Sequence, residues 1–300
     1  MGTPEFAVPS LEKLLEAGFD IVGVITSVDK QAGRGLKITQ SAIKKFAVEK
    51  GLTILQTTKL KDPDFLHQLK ELKVDLQVVV AFRFLPEEVW SMPSLGSINL
   101  HASLLPDYRG AAPINHAIIN GETEIGATTF FIEKEIDKGK LLLHYKTNLP
   151  SDWDAGILHN HLKIAGADLL LKTVKGIENN TLKSTQQNDK LFVHSAPKLT
   201  TESCKINWDW EVEKVYNFIR GLSPYPGAWT TLNGRIFKIF SAKIMEDFDD
   251  AERVIIQTDS GVIIPCKNGF ISLLEVQLEG KKRMSIQEFL KGHRIEKFGS

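Results

Sequence analysis

Apolar strand-like runs alternate with amphipathic helical segments along the first part of the chain, and this alternation constrains the fold most. Strand patterns occur at residues 20–26, 53–56, 74–81, 97–101, 127–132 and 141–145, and helical periods at 9–17, 39–50, 63–73, 113–120 and 152–175. Alternation of this kind is typical of a parallel sheet covered by helices on its faces. We therefore predict an α/β fold that begins with a Rossmann-like, mainly parallel sheet. Within it, Thr39 is the predicted N-cap of the helix over 39–50.

The pattern changes after a polar stretch. Residues 181–201 show no amphipathic period and are predicted to be a linker. Beyond them, Asn233-Gly234 between two strand-like runs predicts a hairpin, because both residues tolerate the positive φ angles of a type I′ turn. Further turn pairs follow at similar spacing, which is typical of a small closed barrel. We predict a catalytic domain over 1–180, the linker, and an OB-like β-barrel domain over 202–300.

Composition excludes several classes of protein. Basic and acidic residues number 37 each, so the chain as a whole does not attract polyanions. Cys204 and Cys266 are too far apart in sequence for a metal-spaced pair, and two cysteines do not make a disulfide scaffold. The apolar runs are too short to span a bilayer, and the N-terminal sequence lacks a signal-peptide pattern. We expect a cytoplasmic protein without a membrane partner.

The stretch GSINLHASLLPDYRGAAPINHAIINGE, over residues 96–122, points most directly to chemistry. Asn99 and His101 stand two residues apart in a strand, so their side chains face the same side of the sheet. Ligands of open α/β sheets bind beyond the carboxyl ends of the strands. An amide donor and an imidazole at that place suit an acyl transfer, in which an oxyanion is stabilised and a proton moves. A core histidine beside a turn-capping asparagine is the structural alternative.

Asp137 is the candidate for the carboxylate that this pair lacks. It stands in EKEIDKGK, in the loop that follows the strand over 127–132. From there a carboxylate can reach a neighbouring strand end, orient His101 and accept the proton of an attacking amine. An ordinary turn residue is the alternative at this position.

These segments resemble the folate-dependent formyltransferases. The resemblance lies in SLLPDYRGAAPINHAIINGE, with Asn-Leu-His before it and IDKGK after it, and in GTPEFA, AGRGLK and GLSPYPGAW. It implies metal-free transfer of a formyl group from 10-formyltetrahydrofolate. AGRGLK and the second domain resemble the branch that acts on initiator methionyl-tRNA for translation initiation. The resemblance therefore implies tRNA and folate as partners, and we expect a monomer.

The resemblance also implies roles for individual residues. The catalytic set falls on Asn99, His101 and Asp137. The folate-binding set falls on Ser103, Leu104, Leu105, Pro106, Phe82, Arg83 and Phe84. The last three belong to AFRFLP, which stands where many members of the family carry a smaller, Tyr-Gly-like loop. The tRNA-binding set falls on Arg34, Lys37, Lys281, Lys282 and Arg283. The final three begin a segment, residues 281–300, that carries six basic and two acidic residues.

Three further expectations remain open at this point. The same catalytic trio suits a formyltransferase or hydrolase that acts on a small amine or a nucleotide sugar, although the Arg34 loop and the barrel argue against it. A tRNA- or folate-binding protein without catalysis is the other alternative, and the complete trio argues against it. Because parallel sheets of this kind usually begin with a buried strand ahead of GTPEF, we expect a further strand before Met1.

Overall fold

The computed structural model describes residues 1–32, 37–245, 254–258, 261–295 and 298 of the 300-residue chain. Contacts within the chain define two compact units. The first unit comprises Met1–Gly110, Ile125–Thr147 and His159–Ser195, and the second comprises Ala111–Glu124, Asn148–Leu158 and Ala196–Ser300. The domain boundaries drawn from the sequence, at residues 180 and 201, stay predictions.

Ten strands precede residue 197 in the described part of the chain. They are β1 (Val24–Thr26), β2 (Lys30–Ala32), β3 (Lys37–Thr39), β4 (Ile54–Gln56), β5 (Gln77–Val80), β6 (Ser97–His101), β7 (Arg109–Gly110), β8 (Glu124–Phe131), β9 (Leu141–Asn148) and β10 (Ser195–Ala196). β1 pairs with β4 in parallel, and β2 pairs with β3 as an antiparallel hairpin. A four-stranded sheet has the order β5-β6-β8-β9, in which β5 and β6 are parallel and β6 and β8 antiparallel. The predicted α/β class is confirmed.

Eight α-helices lie within the described residues. They are α1 (Val8–Glu16), α2 (Ala42–Glu49), α3 (Pro63–Glu71), α4 (Glu87–Trp90), α5 (Pro113–Ile119), α6 (Ala155–Glu178), α7 (Val212–Gly221) and α8 (Ile286–Leu290). The prediction that Thr39 caps α2 is wrong, because Thr39 pairs with Lys30 in the β2–β3 hairpin. The hydroxyl of Ser41 instead accepts the Lys44 N–H at 3.2 Å. In the part of the chain that the structure describes, no helix is both long and apolar enough to cross a membrane.

Met1 and Gly2 lie between β1 and β5. The Met1 nitrogen donates to the Val78 carbonyl oxygen at 2.6 Å, and the Val80 N–H donates to the Met1 carbonyl oxygen at 2.9 Å. On the other side, the Gly2 N–H donates to the Ile25 carbonyl oxygen at 3.0 Å. Two residues therefore bridge two sheets, and a cavity of about 130 Å³ lies beside them. The further strand expected before Met1 stays a prediction.

The second unit contains an antiparallel sheet. Its strands are β11 (Ala228–Leu232), β12 (Arg235–Met245), β13 (Ile256–Thr258), β14 (Gly261–Cys266), β15 (Gly269–Leu278) and β16 (Met284–Ser285), in the order β11-β12-β15-β14-β13 with β16 beside β15. Asn233 and Gly234 join β11 to β12 with φ angles of 52° and 73°, as the type I′ prediction requires. Buried apolar side chains from the sheet, α7 and α8 form one core. The expected second β-domain is confirmed and contains an antiparallel sheet, while its closure into an OB-like barrel stays a prediction.

Candidate active site

The backbone of β6 places Asn99 and His101 on one face of the sheet. Ile98 and Leu100 alternate with them and are buried. Pairing with both β5 and β8 fixes the register of the strand. Asn99 is half-buried, and its carboxamide has no hydrogen-bond partner among the residues that the structure describes. It is therefore available to donate to a substrate oxygen.

The hydrogen bonds of His101 define its neutral tautomer. Its Nε2 lies 2.9 Å from the Tyr108 carbonyl oxygen, which can only accept, so Nε2 carries the hydrogen. Nδ1, which carries no hydrogen in that tautomer, lies 3.9 Å from Oδ2 of Asp137. Both side chains are largely buried, with 7% and 13% of their surfaces exposed. In that tautomer Nδ1 and the carboxylate oxygen are two acceptors side by side, which a donor or a proton would complement.

Asp137 is held in a strained turn after β8. Its φ is 54°, in the left-handed region that residues other than glycine seldom adopt. Its Oδ2 accepts the Gly110 N–H at 2.9 Å. Two residues on, a Cβ on Gly139 would lie 1.6 Å from the Phe131 carbonyl oxygen, so only glycine fits there. The close return of the chain at Gly139 keeps the Asp137 turn against the end of β8.

The loop after β6 is braced by buried hydrogen bonds. The Ser103 hydroxyl donates to the Asp107 carbonyl oxygen at 2.7 Å. Thr128 of β8 donates to the Ser103 carbonyl oxygen at 2.7 Å and accepts the Leu105 N–H at 3.1 Å. The predicted folate-binding residues of this loop are buried or half-buried: Ser103, Leu104, Leu105 and Pro106. The Ser103 side chain therefore shapes the loop from within.

Asp107 ties the same loop to residues 193 and 194. Its carboxylate accepts the backbone N–H groups of Val193 and His194 at 2.9 and 2.5 Å, and its second oxygen lies 3.0 Å from Nδ1 of His194. Burial alone would raise the pKa of Asp107, but the hydrogen bonds from His194 and Val193 outweigh it and lower that pKa. The Tyr108 N–H donates to the His194 carbonyl oxygen at 2.9 Å. These bonds fix the Tyr108 backbone, which in turn holds His101.

The loop after β5 contains the other predicted folate-binding residues. The Arg83 guanidinium donates to the carbonyl oxygens of Thr57 and Thr58 at 2.5 and 2.8 Å. Arg83 also lies over the Phe82 ring, with 5.6 Å between its Cζ and the ring centroid. Phe84 is 62% exposed. In this loop Arg83 serves as a brace, and Phe84 offers an open aromatic face.

The predicted tRNA-binding residues belong to both units. Arg34 lies outside the described residues, and of Lys37 the structure describes only the backbone, in β3. Lys281 and Lys282 are exposed in the turn between β15 and β16. Arg283 pairs with Glu275 and lies 4.4 Å over the Phe240 ring. Of these three C-terminal cations, the two lysines are therefore the more accessible.

Three residues beside the site received no individual role from the sequence, although Tyr108 and Arg109 stand within the motif over 96–122. Tyr108 holds His101 through its backbone carbonyl, which no side-chain motif reveals. Arg109 and Gln187 contact each other, with Nε and a terminal nitrogen of Arg109 at 3.1 and 2.6 Å from Oε1 of Gln187. Gln187 stands in the polar stretch predicted to be a linker. The local sequence there shows no periodicity from which burial could have been inferred.

Comparisons with known proteins agree on one family. A family model described as "Formyl transferase" matches residues 1–174, and one described as "Formyl transferase, C-terminal domain" matches residues 198–294. A methionyl-tRNA formyltransferase of Flavobacterium johnsoniae is 50% identical over 97% of this chain and 94% of its own. One of Caldanaerobacter subterraneus is 43% identical over 98% and 96%. The fold is shared with the crystal structure of WlaRD, a sugar 3N-formyl transferase in the presence of dTDP and 5-N-formyl-THF. The TM-score is 0.67 at 22% identity, and the match covers 94% of this chain and 97% of that one.

Proposed function

The chain belongs to the formyl transferase family and is a formyltransferase, and we propose that it formylates the α-amino group of methionine on initiator methionyl-tRNA. The proposed donor is 10-formyltetrahydrofolate, and the product is N-formylmethionyl-tRNA for translation initiation. Relatives that match almost the whole chain carry the name of this activity, which supports the tRNA substrate. We further propose that the protein acts in the cytoplasm as a monomer.

The observation that carries the proposal is that Asn99 and His101 share one face of β6 and that the Asp137 carboxylate lies 3.9 Å from Nδ1 of His101. An attacking amine must lose a proton, and the formyl oxygen must gain negative charge before the donor nitrogen leaves. The Asn99 carboxamide supplies a donor with no described protein partner. Nδ1 of His101 and Oδ2 of Asp137, 3.9 Å apart, are close enough to accept hydrogen bonds from the same amine. The trio therefore covers both requirements of the transfer.

The order of steps in the transfer follows from which side-chain atoms already bond to the protein. The neutral amine of methionine attacks the formyl carbon, a C–N bond forms, and the carbonyl electrons move to the oxygen, where Asn99 stabilises the charge. The amine proton passes to the His101–Asp137 pair. Because Nε2–H of His101 is used by Tyr108, the ring can assist the oxyanion only after Nδ1 has gained this proton. The bond from the formyl carbon to N10 then breaks, and N10 takes up a proton.

Two adjacent loops are the proposed site for the folate. They follow the carboxyl ends of the parallel strands β5 and β6, where ligands of such sheets bind. Phe82 and Phe84 supply an aromatic surface on one loop, and Arg83 fixes that surface by its bonds to the backbone. The loop of Ser103, Leu104, Leu105 and Pro106 would form the second wall, with the buried Ser103 side chain bracing it from within. When bound, the folate supplies the activated one-carbon unit.

Cations outside the trio are the proposed contacts for the tRNA. Lys281 and Lys282 are exposed, and Arg283 retains partial access beside Glu275. Arg34 and Lys37 are assigned to the acceptor end on the sequence resemblance alone. An Arg34→Ala change is therefore expected to weaken use of the tRNA and to leave binding of the folate unchanged.

The test is transfer of labelled formyl from 10-formyltetrahydrofolate to purified acceptors. We expect label on methionyl initiator tRNA and none on the uncharged tRNA, on free methionine or on an amino-sugar nucleotide. Label on the small acceptors instead would favour the alternative substrate class. Binding of methionyl-tRNA without turnover by the folded protein would favour a binding module, and either result would contradict the proposal.

A further inference from the structure

Residues 185–194, the strap, lie against the loop that contains Asp137. Thr185 and Leu141 exchange two backbone hydrogen bonds, of 2.8 and 2.9 Å, which anchor the beginning of the strap beside β9. At its other end, the Val193 and His194 N–H groups are held by the Asp107 carboxylate. This part of the predicted linker over 181–201 is therefore fixed at both ends within the first unit.

Gln187 is the buried centre of this strap, with 8% of the residue exposed. Its Nε2 donates to the carbonyl oxygens of Asp137 and Gly139 at 2.8 and 2.9 Å. Its Oε1 accepts two N–H groups of Arg109. Both amide hydrogens and both oxygen lone pairs are used. Rotating the amide by half a turn would place its oxygen against the two carbonyl oxygens and its NH₂ group against the Arg109 N–H groups. The orientation of the amide is therefore determined by its surroundings.

Arg109 is itself fixed on several sides. Its guanidinium pairs with Asp189 at 2.7 Å and lies over the Phe192 ring, with its Cζ 5.2 Å from the centroid. Only 10% of its side chain is exposed. The residue that follows it, Gly110, donates its N–H to the Asp137 carboxylate. Arg109 therefore connects the strap to the backbone that holds the carboxylate.

Asp137 is consequently held at two points. The Gly110 N–H fixes its carboxylate, and Gln187 fixes its carbonyl oxygen in the left-handed conformation. Residues other than glycine seldom adopt that region, and the conformation persists only where its surroundings enforce it. Without the two bonds from Nε2, the turn could relax and move the carboxylate away from Nδ1 of His101. A small displacement of a catalytic group is enough to slow a reaction strongly.

We propose that Gln187 is a positioning residue for the formyl transfer, which sets the place of the Asp137 carboxylate opposite His101. This inference rests on the proposed function and on the role of Asp137 in it. It goes beyond the catalytic trio because Gln187 lies in a segment to which the sequence assigns no function. In this proposal Gln187 acts through Asp137 and does not itself contact the substrate.

The experiment compares Gln187→Met, which keeps the length without hydrogen bonds, with Gln187→Glu, which keeps the acceptor for Arg109 but not the donors. We expect kcat to fall about 10-fold to 100-fold in both variants, with both KM values changed less than about threefold. The imidazole ¹⁵N resonance of His101 should also shift. Gln186→Met, at the exposed neighbouring position, is the matched control and should resemble the wild type.

Other outcomes would overturn the proposal. Wild-type kcat and an unmoved His101 resonance in both Gln187 variants would do so, as would a parallel loss of kcat and of folded protein. Asp137→Asn separates this inference from the proposed function. If that variant loses turnover while the Gln187 variants keep it, only the positioning role fails. If Asp137→Asn also retains turnover, the assignment of the catalytic trio fails.

Discussion

Nδ1 of His101 faces Oδ2 of Asp137 at 3.9 Å, while Nε2 of the same ring is bound to the Tyr108 carbonyl oxygen at 2.9 Å. Nε2 is thus bound to the backbone, and Nδ1 faces the carboxylate. A neutral ring in this tautomer cannot donate from Nδ1. The pair is arranged to receive a proton, and the task of donating to an oxyanion at the start of the reaction falls to Asn99.

Replacing Asn99 with alanine should impair turnover without harming the fold. We expect kcat to fall by about 100-fold or more, because an oxyanion donor would be lost. Stability should change little, since the carboxamide bonds to none of the described residues. Steady-state kinetics and thermal unfolding measure both effects. Asn160→Ala, an exposed position on α6, serves as the control, and an Asn99 variant as active as that control would contradict the role.

An Asp137→Asn change should remove the proton acceptor and keep the turn. The amide oxygen of asparagine can still accept the Gly110 N–H, so the fold should persist. Loss of a positioned general base lowers kcat by about 100-fold to 10,000-fold. Single-turnover rates measured at saturating substrates isolate this step. Asp75→Asn, at an exposed position, is the control, and equal single-turnover rates in the two variants would show that Asp137 does not handle the proton.

Phe84→Ala tests the aromatic surface proposed for the folate. Loss of a stacking partner worth about 0.5–1.5 kcal/mol predicts a KM for the folate donor that is roughly twofold to 13-fold higher. The KM for methionyl-tRNA should stay unchanged. Val48→Ala, which removes an apolar side chain of similar exposure on α2, provides the comparison. The assignment is wrong if the donor KM matches that of the Val48 variant or if both substrates are affected equally.

Asp107→Asn should destabilise the protein near neutral pH and have progressively less effect in acid. Because folding lowers the pKa of Asp107, the native state binds fewer protons than the unfolded state, so this group stabilises the fold above the unfolded pKa of about 3.9. That stabilisation is lost as the pH falls through the lower, folded pKa.

We expect Asp107→Asn to reduce the free energy of unfolding by about 1–3 kcal/mol near neutral pH. The difference from the wild type should shrink as the pH falls below about 4. Urea unfolding at a series of pH values measures it, with Asp75→Asn as the reference. A difference that stays constant down to the acid range would exclude ionisation of Asp107 as its source.

The two exposed lysines of the β15–β16 turn should contribute to the salt dependence of tRNA binding. Each phosphate contact adds a slope of about 0.7–0.9 to the dependence of log affinity on log salt. The double change Lys281→Gln and Lys282→Gln is therefore expected to flatten this slope by up to about 2. Filter binding across a salt series gives the value. The control is the double change Lys45→Gln and Lys175→Gln, which removes equal charge from exposed helix positions. An identical slope in both double variants would show that the β15–β16 turn does not bind the tRNA.

Local sequence patterns predicted most of the elements and failed where tertiary contacts compete. The positive φ angles of Asn233 and Gly234 follow from their chemistry, which is why that hairpin was predictable. Threonine and serine both suit the N-cap position, so residue type alone does not separate Thr39 from Ser41. Only the pairing of Thr39 with Lys30 decides that Ser41 caps α2.

By itself, the sequence determined the α/β class, the family resemblance, and the shared face of Asn99 and His101, because alternation along a strand is a local property of the backbone. The tertiary structure alone decided which nitrogen of His101 is free, how near Asp137 comes, and that Gln187 is buried beneath the Asp137 turn. Gln187 and Asp137 are 50 residues apart in sequence. Contacts over such separations depend on the path of the folded chain, and no local periodicity encodes them.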